Sequence, residues 1–155
     1  MTIQIDSREK AKAITKIISE FDKQSIKHFS SKLPVGDYMS FDNPRLIIDR
    51  KQNLQELCGN VCQQHKRFTD ELKRAQDLGI KLIILCEHGG SIKELSDVTN
   101  WDNPRIKQSP LAMSGERLFK VLLTLSKKYD VGFLFCTKLH TGKKIIELLG
   151  DISDH

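Results

Sequence analysis

The sequence is poor in the features that mark several large function classes. Its 155 residues include one tryptophan, two tyrosines and four prolines, and no apolar run reaches the roughly 20 residues that a membrane-spanning helix needs. No basic-then-apolar leader opens it. Cys58, Cys62, Cys86 and Cys136 lie in or beside apolar segments, so they are expected as buried packing in a reducing, cytoplasmic setting. Cys58-x3-Cys62 with His65 close behind lacks a fourth partner at finger-like spacing, which argues against structural zinc. Neither a Gly-x4-Gly-Lys-Ser/Thr loop nor a Gly-x-Ser-x-Gly or Ser-His-Asp arrangement occurs. That removes P-loop nucleotide hydrolysis and the triad hydrolases, and no nucleotide cofactor is expected. Internal repeats, heptads and low-complexity segments are missing as well.

What is present suits one globular domain over residues 1–155, with 39% apolar and 29% charged residues and enough length for a sizeable core. The formal net charge of +5 and pI near 9.0 suit a polyanionic partner. "TIQID" predicts a strand over 2–6 and Ser7 a helix start, followed by an apolar helix face of Ala13, Ile14, Ile17, Ile18 and Phe21. "SIKHF" predicts a strand over 25–29, and "DYMSF" with "RLIID" a hairpin around Asp42-Asn43-Pro44. A short helix ending near Gly59 and a longer one over 62–79 lead to a central buried strand over 80–87. Residues 88–112 read as a long, mostly irregular segment. A Ser114-capped helix over 114–130, a buried strand over 131–136 and a helix ending at Gly150 complete the pattern. The implied class is α/β, a central mixed β-sheet flanked by helices.

Chemistry concentrates in "LPVGDYMSFDNPRLIIDRK", residues 33–51. Strand residues two apart share a face, so Asp49 and Lys51 point one way while Ile48 and Arg50 point the other. Asp37, at the start of the preceding strand, is the natural second carboxylate, and Gly36 before it permits an unusual backbone angle and a close approach. Phosphodiester hydrolysis needs such a set: hard oxygen ligands for Mg²⁺, and a cation for the charge that develops on phosphorus. An Asp49–Lys51 surface ion pair is the plain alternative. Farther on, Arg67 and Arg74 share one face of the longer helix, suited to a phosphate backbone. His88 is a strand-end cap or a site residue, and Trp101 a loop anchor or a stacking platform.

"IDSRE" (5–9), "LPVGDY" (33–38) and "IIDRK" (47–51), in that order, resemble the nuclease domain of the XPF-type structure-specific endonucleases. That family lies in the restriction-endonuclease-like, PD-(D/E)xK superfamily, and its signature reads Gly-Asp, a variable gap, then Glu-Arg-Lys. The similarity continues through "LCGN", "HKRF" and "LIILCE" to the last two helices. The resemblance implies a restriction-endonuclease-like fold and a Mg²⁺- or Mn²⁺-dependent endodeoxyribonuclease of repair or recombination, cutting flap, splayed-arm or junction DNA. By the same resemblance Asp37 and Asp49 are metal ligands and Asp6 lies beside the metal among the catalytic residues. Lys51 orients or deprotonates the attacking water, Arg8, Arg50 and Arg67 contact DNA, and Glu87 is an accessory acid. Asp49 stands where the family usually has glutamate, and the acid four residues past the lysine falls on Gln55 unless a one-residue slip brings in Glu56. The implied form is a stand-alone bacterial or phage nuclease domain in the cytoplasm. Its partners are DNA and a second copy or a separate protein, without a membrane. The competing reading is a catalytically inactive nuclease-fold module for DNA binding or partner docking.

Overall fold

The computed structural model describes residues 1–150. Strand β1 (Thr2–Ile5) pairs in parallel with β2 (Lys27–Ser30) and antiparallel with β3 (Tyr38–Ser40), which pairs antiparallel with β4 (Asn43–Lys51). Strands β5 (Lys81–Cys86) and β6 (Gly132–Phe135) extend the sheet in parallel beyond β4, giving the order β2-β1-β3-β4-β5-β6. Helices α1 (Thr15–Lys23), α2 (Leu54–Cys62), α3 (His65–Asp77), α4 (Gly115–Tyr129) and α5 (Thr141–Gly150) flank it. The predicted α/β class, a mixed central sheet with flanking helices, is the one observed.

Side-chain alternation divides the core in two. Ile47 of β4 and Ile84 of β5 face α2, α3 and α4, where Leu57, Leu72, Leu118 and Leu122 cover them. Their neighbours Ile48 and Leu85 face α1 and α5, against Phe21, Ile145 and Leu149. Burial on both faces explains the near-continuous apolar runs in β4 and β5. No helix among the described residues is long and apolar enough to cross a membrane.

Several boundaries differ from the sequence expectation for local reasons. Ser7 caps no helix. The Asp6 carboxylate accepts the Arg8 N–H at 3.1 Å and its carbonyl accepts the Glu9 N–H at 3.0 Å, so residues 7–9 turn and winding begins with a 3₁₀ turn at Ala11–Ile14. The second strand starts at Lys27, because Ser25 takes a left-handed φ of 56°. The hairpin tip is Phe41-Asp42, not Asp42-Asn43-Pro44: Ser40 pairs with Asn43, and a register shift follows before Met39 meets Ile47. Pro44 lies in that irregular stretch, where its missing N–H removes no ladder bond. Helix α2 runs through Gly59 to Cys62, since Leu54, Leu57, Cys58 and Val61 bury one continuous stripe that outweighs one glycine. Cys58 and Cys86 are buried and Cys136 half-buried, whereas Cys62 is exposed at the end of α2, contrary to the packing role expected of it.

Candidate active site

The candidate site is a cleft of about 290 Å³ at the carboxyl end of β4. Asp49 and Lys51 share the α2/α3 side of β4, and the Lys51 ammonium rests 3.3 Å from Asp49 Oδ2 and 5.7 Å from the centre of the Phe68 ring on α3. Asp37 reaches the same cleft from the turn before β3. Its N–H donates to the Ile48 carbonyl, its carbonyl accepts the Asp6 N–H, both at 2.8 Å, and its Oδ2 accepts the Arg50 N–H at 2.7 Å. Gly36 makes this possible: at φ +66°, a Cβ there would lie 2.6 Å from Ile47 Cγ2 and 3.2 Å from the Ile48 carbonyl oxygen. The unusual backbone angle expected of Gly36 is observed, and the sheet surface beneath it leaves no room for a side chain.

Burial, and then the charge of Asp49, hold the Asp37 carboxyl well above the ordinary carboxylate range. Asp49 Oδ2 is buried outside hydrogen-bond geometry, 3.3 Å from the Lys51 ammonium, and the Asp49 carboxylate crowds that of Asp37. Two crowded carboxylates make a suitable seat for a small hard cation. Among the described residues no group of three or more His, Cys, Asp or Glu side chains is arranged to hold a metal. A cation held by Asp37 and Asp49 alone would need water or phosphate oxygens to complete its coordination. Burial by itself would lower the Lys51 pKa, but Asp49, Glu71 and Glu56 outweigh it and raise it, so Lys51 is an ammonium at neutral pH.

The other side chains singled out in the sequence separate into two groups. Arg8, Glu56, Lys10 and Gln52 line the cleft with the central three residues. Glu56, not Gln55, is the acid on that wall; its Oε2 accepts the Gln52 N–H at 3.3 Å, while Gln55 lines a different cavity. Asp6, expected beside the metal, lies next to Asp37, whose carbonyl accepts its N–H at 2.8 Å; its carboxylate, only 1% exposed, accepts the Arg8 Nε–H at 2.7 Å and the Leu33 N–H at 2.8 Å. Burial would raise its pKa, but these donors hold it below the ordinary value. Arg50, expected at DNA, also borders the cleft, as does Glu9, but its guanidinium is buried on the opposite face of β4, with Nε donating to Glu9 at 2.8 Å and Nη1 to Glu87 at 2.6 Å. Glu87 in turn accepts from Arg50 and from the Thr141 hydroxyl of α5, so it locks the sheet to that helix. His88 Nδ1 accepts the Leu54 N–H at 3.1 Å and packs edge-on to the buried Trp101, which anchors the loop. Arg67 and Arg74 are both exposed on α3 and line one groove.

The model of the ERCC4 domain matches residues 5–149. This chain belongs to the ERCC4 domain family. No curated protein matches. Among solved structures, XPF from Aeropyrum pernix superposes with a TM-score of 0.69 at 17% identity, covering 100% of this chain and 66% of that one. XPF from Aeropyrum pernix in complex with DNA gives 0.67 at 16% identity, covering 99% and 64%. The chain thus spans slightly less than two thirds of either XPF chain. At these identities the superpositions establish a shared fold, here built on the six-stranded mixed sheet.

Two acids of this ERCC4 domain escaped the sequence reading. Glu9 receives Arg50 and also the buried Tyr38 hydroxyl at 2.6 Å, and burial followed by the Glu9 charge pushes the Tyr38 phenol up. Glu71 on α3 lies within electrostatic reach of Asp49 and Lys51, and burial, then the charge of Asp49, raise its carboxyl. Glu9 stands inside "IDSRE" and could have been found as the partner a buried arginine demands. Glu71 carries no local signal, since a glutamate in a charged helix is ordinarily solvated.

Proposed function

We propose that this ERCC4 domain is a metal-dependent DNA endonuclease working through the cleft of Asp37, Asp49 and Lys51. The observation that carries the reading is the buried Asp49 Oδ2, crowded by Asp37 and set beside a protonated lysine. Asp37 and Asp49 would hold Mg²⁺ or Mn²⁺, which when bound polarises a phosphoryl oxygen and acidifies water. Lys51 acts as a donor: held as an ammonium, it orients the attacking water or a nonbridging phosphate oxygen and stabilises the charge that develops there. It cannot accept the proton of the attacking water while it keeps its own, which favours the orienting role over deprotonation. Attack forms one P–O bond and breaks one P–O bond to the sugar; the water's proton leaves to solvent and the departing sugar oxygen takes up a proton from solvent to become the hydroxyl. Arg8, pinned by Asp6 at the cleft wall, and Arg67 and Arg74 on α3 are the phosphate contacts. Arg50 and Glu87 act by holding β4 in place.

Branched DNA of flap, splayed-arm or four-way type is the proposed substrate class, resting on the XPF-type motifs; the XPF neighbour solved with DNA supports DNA as the ligand. The test is single-turnover cleavage of labelled duplex, flap, splayed-arm and four-way substrates in Mg²⁺ and in Mn²⁺. Lys51→Ala and Asp49→Ala should remain folded and lose at least about 100-fold in rate. Wild-type rates in either variant would refute the site. A folded sample that takes up no Mn²⁺ by calorimetry and cuts nothing would identify an inactive module.

A further inference from the structure

Helices α2, α3 and α4 pack against β4, β5 and β6 on one side of the sheet, while α1 and α5 pack against β2, β3 and β4 on the other. On the first side, the half of the sheet built by β1, β2 and β3 therefore lies beyond the helices. Register and alternation place Gln4, Lys27, Phe29 and Met39 on this open half, since Gln4 pairs with both Phe29 and Met39. Their strand neighbours Ile3, Ile5 and His28 turn the other way; the two isoleucines join the α1 and α5 core, and His28 meets the Phe21 ring and the Asp22 carboxylate of α1. Phe41, at the hairpin tip, completes the surface. Its ring centre is 5.0 Å from that of Phe29, edge to face, yet Phe41 is 58% exposed, the most exposed aromatic residue among those described. Turn tips ordinarily carry polar residues, and a ring left in water adds little to a core.

The charge around the two rings is mostly of one sign. Lys27, two residues before Phe29, and Lys32, three after it, bracket that ring in the chain and are both exposed. The neighbouring acids are engaged elsewhere: Asp6 holds Arg8, Asp22 holds His28 across the sheet, and Asp37 lies in the cleft, which leaves Asp42 at the tip. A second copy seated on this face would bring Lys27 and Lys32 against their own kind, so the complementary occupant is an anion. A flat aromatic surface flanked by ammonium groups suits single-stranded nucleic acid, with a base stacked on the ring and phosphates at the lysines, whereas a duplex hides its base faces. The loop over residues 31–35 borders both this face and the cleft: Gln4 Nε2 donates to the Lys32 carbonyl at 3.2 Å, and Arg8 of the cleft wall reaches the Leu33 carbonyl at 3.5 Å.

We propose that the open face of β1, β2 and β3 binds single-stranded DNA, with a base stacked on Phe41, which Phe29 supports, and phosphates at Lys27 and Lys32. Assigning that strand to the unpaired arm of a branched substrate rests on the nuclease reading of the cleft; its capture does not.

Fluorescence anisotropy without divalent metal tests the capture. The probes are a labelled single strand of about 12 nucleotides, the blunt duplex of the same sequence, and an abasic strand of equal length. Phe41→Ala should weaken the single strand at least about fivefold and leave the abasic strand unchanged. Phe41→Leu, apolar but without a π-face, should lose as much, whereas Phe41→Trp should bind as tightly as wild type and have its added emission quenched by the single strand and not by the duplex. Lys27→Gln and Lys32→Gln should each lower the slope of log K against log salt by about 0.7. Wild-type affinity in Phe41→Ala and Phe41→Leu, an equal loss on the abasic strand, or an unquenched Phe41→Trp would overturn the assignment. An oligoglutamate that displaces the single strand at equal charge would give the face to an acidic protein, and a wild-type dimer that Phe41→Ala dissociates in sedimentation would give it to a second copy; either result overturns the proposal. Capture that persists while no DNA is cut in Mg²⁺ or Mn²⁺ would sink the nuclease reading and leave the platform standing.

Discussion

Asp37 illustrates how a single residue trades stability for chemistry. Its carboxyl is held well above its ordinary value near 3.8 by burial and by Asp49, so the folded chain binds its proton more tightly than the unfolded chain does. Stability associated with it is full below the ordinary carboxylate pKa and is lost as pH rises through the raised one. Asp37→Asn keeps an acceptor for the Arg50 N–H while removing the charge. It should stabilise the protein at neutral pH by about 1 kcal/mol, or about 2–4 °C in Tm, while abolishing cleavage. Mn²⁺ should raise the melting temperature of wild type and not of this variant; equal shifts in calorimetric scans would remove Asp37 from the metal site. Gly36→Ala is the opposite case, placing a Cβ 2.6 Å from Ile47 Cγ2 on a backbone with φ +66°. Denaturant unfolding should show a loss of about 2–4 kcal/mol.

At the scale of the element, β4 serves two faces with one alternation. Asp49 and Lys51 emerge toward α3, while Arg50 between them is fastened to Glu9 and Glu87, so the clamp on one side sets the position of the reacting groups on the other. Arg50→Ala would leave two buried acids without their cation and should cost about 3–5 kcal/mol in chemical denaturation. The start of α2 is a second fastening point: Asn53 caps the Glu56 N–H at 2.9 Å, and His88 Nδ1 accepts the Leu54 N–H. Only a ring with an unprotonated Nδ1 can accept that bond, and burial lowers the His88 pKa below its ordinary 6.5. For a base with a lowered folded pKa, the unfolded chain binds more protons, so its stabilisation is present above pH 6.5 and lost as pH falls toward the folded value. Melting curves between pH 7 and 5 should decline, and His88→Asn should flatten that part of the decline; an identical profile in the variant would show that His88 does not titrate with folding.

Over the whole molecule, the sheet has protected centres and weak margins. Ile47, Ile48, Ile84 and Leu85 are each essentially inaccessible, whereas β2 lies at the edge with both its end residues exposed. Amide exchange should therefore be slowest in β4 and β5 and fastest, among the strands, in β2; comparable protection across all six would contradict the two-faced core. Much of this was readable in order along the chain. Apolar period gave away all five helices and the buried central strands, because burial on one or both faces writes itself into neighbouring residues. The pairing of Asp49 with Lys51, and the exclusion of Arg50 from their face, followed from strand alternation alone. The hairpin tip, Ser7 and Gly59 were misread because each turned on a competing local contact: Ser40 with Asn43, the Asp6 carboxylate, and the apolar stripe of α2. Local pattern carries secondary structure and side-chain facing, since those depend on residues two to four positions apart. Which charges are spent on folding and which remain for chemistry depends on partners dozens of residues away: Asp6 on Leu33, Arg50 on Glu9 and Glu87. Only the assembled sheet and its helices bring those together, and with them the division between the cleft and the scaffold that holds it.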